Sequence, residues 1–255
     1  MGSSNSHTVS ARLAGASLLF LMTTAGIAQD EAPAENASNP LAKVKNTDVR
    51  LKYFDLGNDS RLNDYYIEGA FMPTNSLKLK YELHYWDTNV SGSSQSGWES
   101  VRLKGIYFPT EGVRGNLKYR VSVGMDWILD QGDVDKGIGT GADQVAPIFG
   151  VALGLPSGDM LIPLLQHNES YSGNDVSFTT LRTIWLRILP QARWLKADAK
   201  FSVDWENDRE TPASIELQYG KNLNRNFALY VDALAGLGGH RQFDWGVGMG
   251  FRANY

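Results

Sequence analysis

Residues 243–255 read FDWGVGMGFRANY, with an apolar or aromatic side chain at every odd position and Asp, Gly, Arg or Asn at every even one. Successive side chains of a strand point to opposite faces, so a period of two predicts a strand with one apolar and one polar face. The pattern recurs. Residues 195–205 place Leu195, Ala197, Ala199, Phe201, Val203 and Trp205 on one face and Lys196, Asp198, Lys200, Ser202 and Asp204 on the other. Residues 77–85, 117–127, 213–219 and 227–237 alternate as clearly, and 49–53, 65–71 and 101–107 more loosely. Three further segments, 145–155, 160–168 and 176–189, read as strands with blurred faces. Arg182 and Arg187 fall on opposite faces of the last, so a bulge is expected between them. The pattern predicts twelve strands. Outside the N-terminal region no helical period stands out.

The connectors alternate in length. MPTNS, PTEGVRGN, LPSGD, PQAR and NLNRN are short; DLGNDSRLND, DTNVSGSSQSG, LDQGDVDKGIGTGAD, NESYSGND, ENDRETP and GLGGHRQ tend to be longer and more polar. Short turns alternating with long loops are the mark of a closed antiparallel transmembrane β-barrel, with the turns in the periplasm. An even strand number places both ends of the barrel on the periplasmic side.

The N-terminus fits export. Arg12 precedes the apolar run LAGASLLFLM, followed by small Gly26 and Ala28 at a secretory cleavage pattern. Residues 1–28 are read as a signal peptide. Residues 29–46, polar and Pro/Ala-rich at their start, are read as a disordered periplasmic segment, and 47–255 as the barrel. There is no cysteine, so no lipid-bearing residue follows the cut. No apolar run reaches 18 residues, so no membrane-spanning helix is readable. The net charge of -4 gives no reason to expect a nucleic-acid partner.

Charge decides which face points inward. The polar faces carry too many ionic groups for a small closed core. In a ring they become the lumen, and the apolar faces meet lipid and lipopolysaccharide. Aromatics near strand ends on the apolar face (Tyr65, Tyr85, Tyr107, Tyr119, Trp127, Trp205, Phe227, Phe243, Trp245 and Tyr255) suit the two membrane interfaces. The lumen charges divide. Strands one to five carry a basic wall of Arg50, Lys52, Lys78, Lys80, Arg102, Lys104, Lys118 and Arg120. Strands nine to twelve carry an acidic wall of Asp198, Asp204, Glu216, Asp232 and Asp244. Two readings follow. Opposed walls make a transverse field that orients polar solutes, or they neutralise each other across a closed lumen. Gly150, Gly154, Gly236, Gly246, Gly248 and Gly250 are expected to leave room on one side.

The terminal strand, with Trp245, Phe251 and Tyr255 in alternation, also resembles the C-terminal assembly signal of Gram-negative outer-membrane proteins, which implies recognition by the outer-membrane insertion machinery. The stretches APIFGVALGLPSGD, DWENDRETPASIELQYGK and FDWGVGMGFR resemble a loosely defined group of proteobacterial outer-membrane proteins. These are described as transporters or as similar to the phenol-degradation-associated outer-membrane family. The resemblance covers the last 115 or so residues and implies no substrate and no functional residues.

Enzymatic chemistry has little footing. A serine nucleophile needs a base within reach, and no His-x-Ser occurs after the signal. His167 and Ser170, three apart, fall on opposite faces of a strand; His84 lies on the polar face beside Glu82; His240 is in a loop. His167 beside Glu169 is the one candidate for a rim hydrolase. The acidic loop 130–135 lacks the spacing of a calcium loop, and LPSGD is a turn, not a phosphate loop. No metal or other cofactor is expected. The reading that results is a narrow channel or transporter for small polar solutes, anionic or zwitterionic ones favoured. The alternative is a non-conducting structural or adhesive barrel.

Overall fold

A computed structural model of the protein describes residues 35–255. The expected signal peptide, 1–28, and the start of the 29–46 segment lie outside the described residues. The chain forms β1 (Asn46–Gly57), β2 (Ser60–Thr74), β3 (Leu77–Thr88), β4 (Gln95–Arg114), β5 (Leu117–Asp130), β6 (Ala142–Gly154), β7 (Met160–Gly173), β8 (Ser177–Leu189), β9 (Arg193–Asp204), β10 (Ala213–Asn222), β11 (Phe227–Leu237) and β12 (Trp245–Asn254). Each strand pairs antiparallel with its sequence neighbours, and β12 returns to β1 to close the ring. The closing seam runs in unbroken register from Asn46↔Asn254 to Asp55↔Trp245. Closure pairs every edge, which a bilayer demands because it offers no water to unpaired N–H and C=O groups.

The strands run longer than alternation alone suggests, and several connectors shrink to turns of two or three residues. The first external connection is only Asn58–Asp59, both at positive φ (52° and 62°), the conformation of a tight hairpin turn. β4 extends over 20 residues. The reason is physical. Beyond the bilayer a hairpin arm has water on both sides, so it stays paired while losing its apolar face. The expected bulge between Arg182 and Arg187 is absent, because both β7–β8 and β8–β9 keep continuous register there. Arg187 instead ends the outward face at the periplasmic rim, where it holds Asp159 at 2.6 Å. Register shifts occur elsewhere, as at His84/Tyr85 on β3–β4.

The odd-numbered face points outward. Val49, Leu103, Val123, Phe149, Leu165, Phe201, Val231 and Met249 are all exposed. Trp127, Trp205 and Trp245 stand at one end of this apolar band and Tyr107, Tyr219 and Tyr255 at the other, all exposed. Such an outside belongs in lipid. Phe243 is the exception among the aromatics expected there: it precedes β12 and packs edge-on against the inward-facing Phe54, with ring centroids 5.0 Å apart.

Candidate functional site: the charged lumen

Because β12 closes on β1, the basic and acidic walls adjoin rather than oppose, and ion pairs cross the seam. Arg50 reaches Asp232 at 2.8 Å, Lys52 reaches Glu216 at 2.5 Å, and Arg252 reaches Asp48 at 2.8 Å. Within the basic half, Lys80 lies 3.3 Å from Glu68 and 3.4 Å from Glu82, and Lys104 lies 2.9 Å from Asp126. Arg102 contacts Glu99 at 3.3 Å. Within the acidic half, Lys196 bridges to Glu216 at 2.7 Å, and Arg182 holds Asp198 with Nε at 2.8 Å. His84 joins Asp64 at 3.0 Å and Glu82 at 3.5 Å and stacks on Tyr66. Desolvated charges need such partners.

Not every predicted wall residue lines the lumen's middle. Asp204 caps the β9–β10 turn by accepting N–H bonds from Glu206 and Asn207. Asp244 lies before β12 and pairs with Arg241. Lys118 is exposed at the periplasmic start of β5. Arg182, Glu99, Asp64 and Asp48 also belong to the network, outside the two predicted walls. On the outside of β12, Trp245 and Phe251 face outward, and Tyr255 lies beyond the strand with its hydroxyl 3.3 Å from Thr47.

In three pairs the anion is the better hidden member, whereas Lys80 and Glu68 are equally exposed and Glu35 and Glu111 are more exposed than Arg120. In the Arg182–Asp198 pair the arginine side chain is 33% exposed and the aspartate 1%. In the Arg102–Glu99 pair the values are 29% and 5%. Lys104 and Asp126 follow the same order. Lys200, which pairs in register with Arg182 and Ser214, is exposed and forms no ion pair among the described residues. At these three pairs and at Lys200, the group within solvent reach is the cation.

The expected room beside the lumen glycines is taken. A Cβ built on Gly220 would fall 2.1 Å from the ring of Trp194, and one on Gly250 2.2 Å from that of Tyr230. Leu164 lies as close over Gly150. Gly150, Gly220 and Gly250 are small because large side chains lie across them, whereas Gly236 and Gly246 lie against the backbone carbonyls of Phe243 and Tyr53. Trp194 donates to Gln218 at 2.9 Å, Tyr230 donates to Asp48 at 2.7 Å, and the guanidinium of Arg252 sits over both rings.

Residues 35–45, expected to be disordered, form a turn seated in the periplasmic end of the lumen. Turn chemistry explains the local fold: Asn36 Oδ1 accepts from Ser38 N–H, and Asn39 Oδ1 accepts from Leu41 N–H across Pro40, both at 2.8 Å. Leu41, 1% exposed, enters an apolar cluster of Ile106, Phe108, Ala152, Ile162, Leu164 and Ile184. Lys78 Nζ donates to Pro40 O at 3.1 Å and Ala42 O at 2.7 Å. Arg120 donates to Leu41 O at 3.0 Å and grips Glu35 with both terminal nitrogens, at 2.8 and 2.9 Å. Across the lumen, Ser38 Oγ donates to Gln218 at 2.8 Å and accepts from Arg252 at 3.2 Å. Burial pushes the Glu35 carboxyl up, but Arg120 and the Lys43 N–H outweigh it and hold the group below its usual range.

The remaining candidates carry structural duties. Asp130 accepts from the N–H groups of Gly132, Thr140 and Gly141, so it ties the β5–β6 loop together rather than facing an ion. His167 lies on the outward face with Nδ1 2.9 Å from Thr179 Oγ1 and Nε2 3.4 Å from Glu169. The same threonine oxygen accepts from Trp205 Nε1 at 2.9 Å.

The chain superposes on an outer-membrane channel from Pseudomonas putida F1 with a TM-score of 0.65 at 10% identity, covering 89% of this chain and 100% of that one. It superposes on NanC porin with a TM-score of 0.63 at 8% identity, and on KdgM porin with 0.59 at 8%; each match covers 82% of this chain and 99% of the other. The fold is that of the outer-membrane barrels. No family profile and no curated protein sequence matches the chain, so its likeness to the phenol-degradation-associated group stays a resemblance.

Proposed function

We propose that the protein is an outer-membrane channel for small polar solutes that passes anions ahead of cations. The observation that carries this reading is the unequal exposure of the paired charges: Arg182 and Arg102 meet lumen space while Asp198 and Glu99 are shut behind them, with Lys200 free beside Arg182. A permeating ion senses the charge it can approach, because buried pairs are screened by their own partners. The likeness in fold to proteins described as porins and a channel agrees with it. The test is the reversal potential of single channels in a salt gradient, for the wild type and for a Lys200→Gln/Arg182→Gln double variant. Loss of anion preference in the double variant is expected; an unchanged reversal potential contradicts the reading.

One observation favours a second reading, a closed barrel with a structural role. Residues 35–45 lie across the periplasmic end of the lumen and contact opposite walls through Lys78 and Gln218. A bilayer that stays silent with correctly inserted protein, with or without that segment, would select it.

A further inference from the structure

The seat of the N-terminal turn is built like a binding site for something other than a peptide. Lys78 is 2% exposed, and among the described residues it has no carboxylate partner, only the carbonyls of Pro40 and Ala42. A desolvated ammonium held by two neutral carbonyls is under-satisfied, since a carboxylate forms a stronger, charge-assisted bond. Arg120 already shows the stronger form: it takes a carboxylate, that of Glu35, through both terminal nitrogens. Beside these cations lies the apolar pocket that Leu41 fills.

We propose that this seat binds small organic anions with an apolar body, and that residues 35–43 occupy it as an internal competitor. The carboxylate replaces the carbonyls at Lys78 or Glu35 at Arg120, and the apolar body replaces Leu41. The segment is bound by side chains from β3, β5, β10 and β12 yet is joined to the barrel only through its own continuation into β1. It can leave without unpairing a strand. Its departure frees Lys78 and releases Arg120 from Glu35 at the periplasmic exit, while Arg120 keeps Glu111 and Arg252 keeps Asp48. The seat would then act both as the last station of the solute path and as its gate, opened by the solute itself. This inference rests on the channel reading above.

The absence of cysteine from the chain gives a clean test. A Leu41→Cys variant carries one thiol, which a membrane-impermeant sulfonated maleimide can reach only when the segment leaves its seat. Hexanoate, with a carboxylate on a short alkyl tail, is the probe, and acetate at equal ionic strength is the control. Mass action predicts that hexanoate at about ten times its dissociation constant for the open seat speeds labelling about tenfold. Equal rates in hexanoate and acetate overturn the proposal. A second variant lacking residues 35–43 should conduct more than the wild type and lose its response to hexanoate. Conductance equal to wild type overturns this inference alone, whereas a silent but folded deletion variant contradicts the channel reading and this inference with it.

Discussion

Trp194 lies across Gly220, so close that a single methyl group on the glycine would fall 2.1 Å from the indole ring. The pair is a lumen-filling unit in two residues. The glycine on β10 makes space that the tryptophan on β9 uses, and the indole N–H is then aimed at Gln218. Gly220→Ala should therefore push the ring away and loosen Gln218 and Arg252 with it. Overpacking of this kind costs roughly 1–3 kcal/mol. Urea unfolding in detergent, followed by tryptophan fluorescence, should show a lowered midpoint. An unchanged midpoint would mean that the ring can move freely.

The Arg182–Asp198 pair should respond asymmetrically. Arg182→Gln leaves a buried aspartate without its strongest partner, and breaking a buried pair in this way costs about 3–5 kcal/mol. Asp198→Asn removes a hidden anion but leaves the exposed cation, so anion preference should rise. Reversal potentials of the two variants should move in opposite directions. Parallel movement would show that the buried member also faces the permeating ion.

At the periplasmic rim, Arg187 holds Asp159 through two bonds of 2.6 and 2.7 Å, and this hydrogen-bonded pairing lowers the carboxyl from its usual 3.8 to about 2. A carboxyl whose folded value is depressed stabilises the fold above its unfolded value and loses that contribution as pH falls through the folded one. The stability difference between wild type and Arg187→Gln should thus be constant at neutral pH and fade between about pH 4 and pH 2. A difference that persists at pH 2 would assign Arg187 a packing role instead.

The terminal strand offers a test of assembly. If its likeness to the outer-membrane assembly signal is functional, removal of Tyr255 should lower the fraction of protein that reaches the heat-modifiable, folded form in cells, while protein refolded in detergent is little changed. Equal losses in both settings would reduce Tyr255 to its contact with Thr47.

The sequence shows the ring far better than its contents. Alternation in segments such as 195–205 located the strands and told the faces apart, because one face meets lipid and the other a charged lumen. Strands β6, β7 and β8 were blurred for a reason that only the fold exposes. Their inward residues Ala152, Ile162, Leu164 and Ile184 are apolar because they receive Leu41. Apolar side chains on both faces of neighbouring strands were the available sign of an internal apolar seat. The turn residues Asn36, Asn39 and Pro40 were the available sign that the segment before β1 is folded. Sequence order hides the adjacency of the two charged walls, since β1 and β12 are the ends of the chain and neighbours in the ring, and it does not show that Asp204 and Asp244 sit at loop ends. Arg182 and Arg187 share β8 without a bulge, because Arg187 sits at the rim with Asp159 and not in the lumen.

The account stands or falls on the lumen's accessible charge. The most direct measurement is single-channel conductance of the purified protein, with and without residues 35–43, in a planar bilayer under a salt gradient. The account predicts a steady conductance that is larger without the segment and anion-selective in both forms. A cation-selective current, or a silent bilayer from folded protein in both forms, would contradict it.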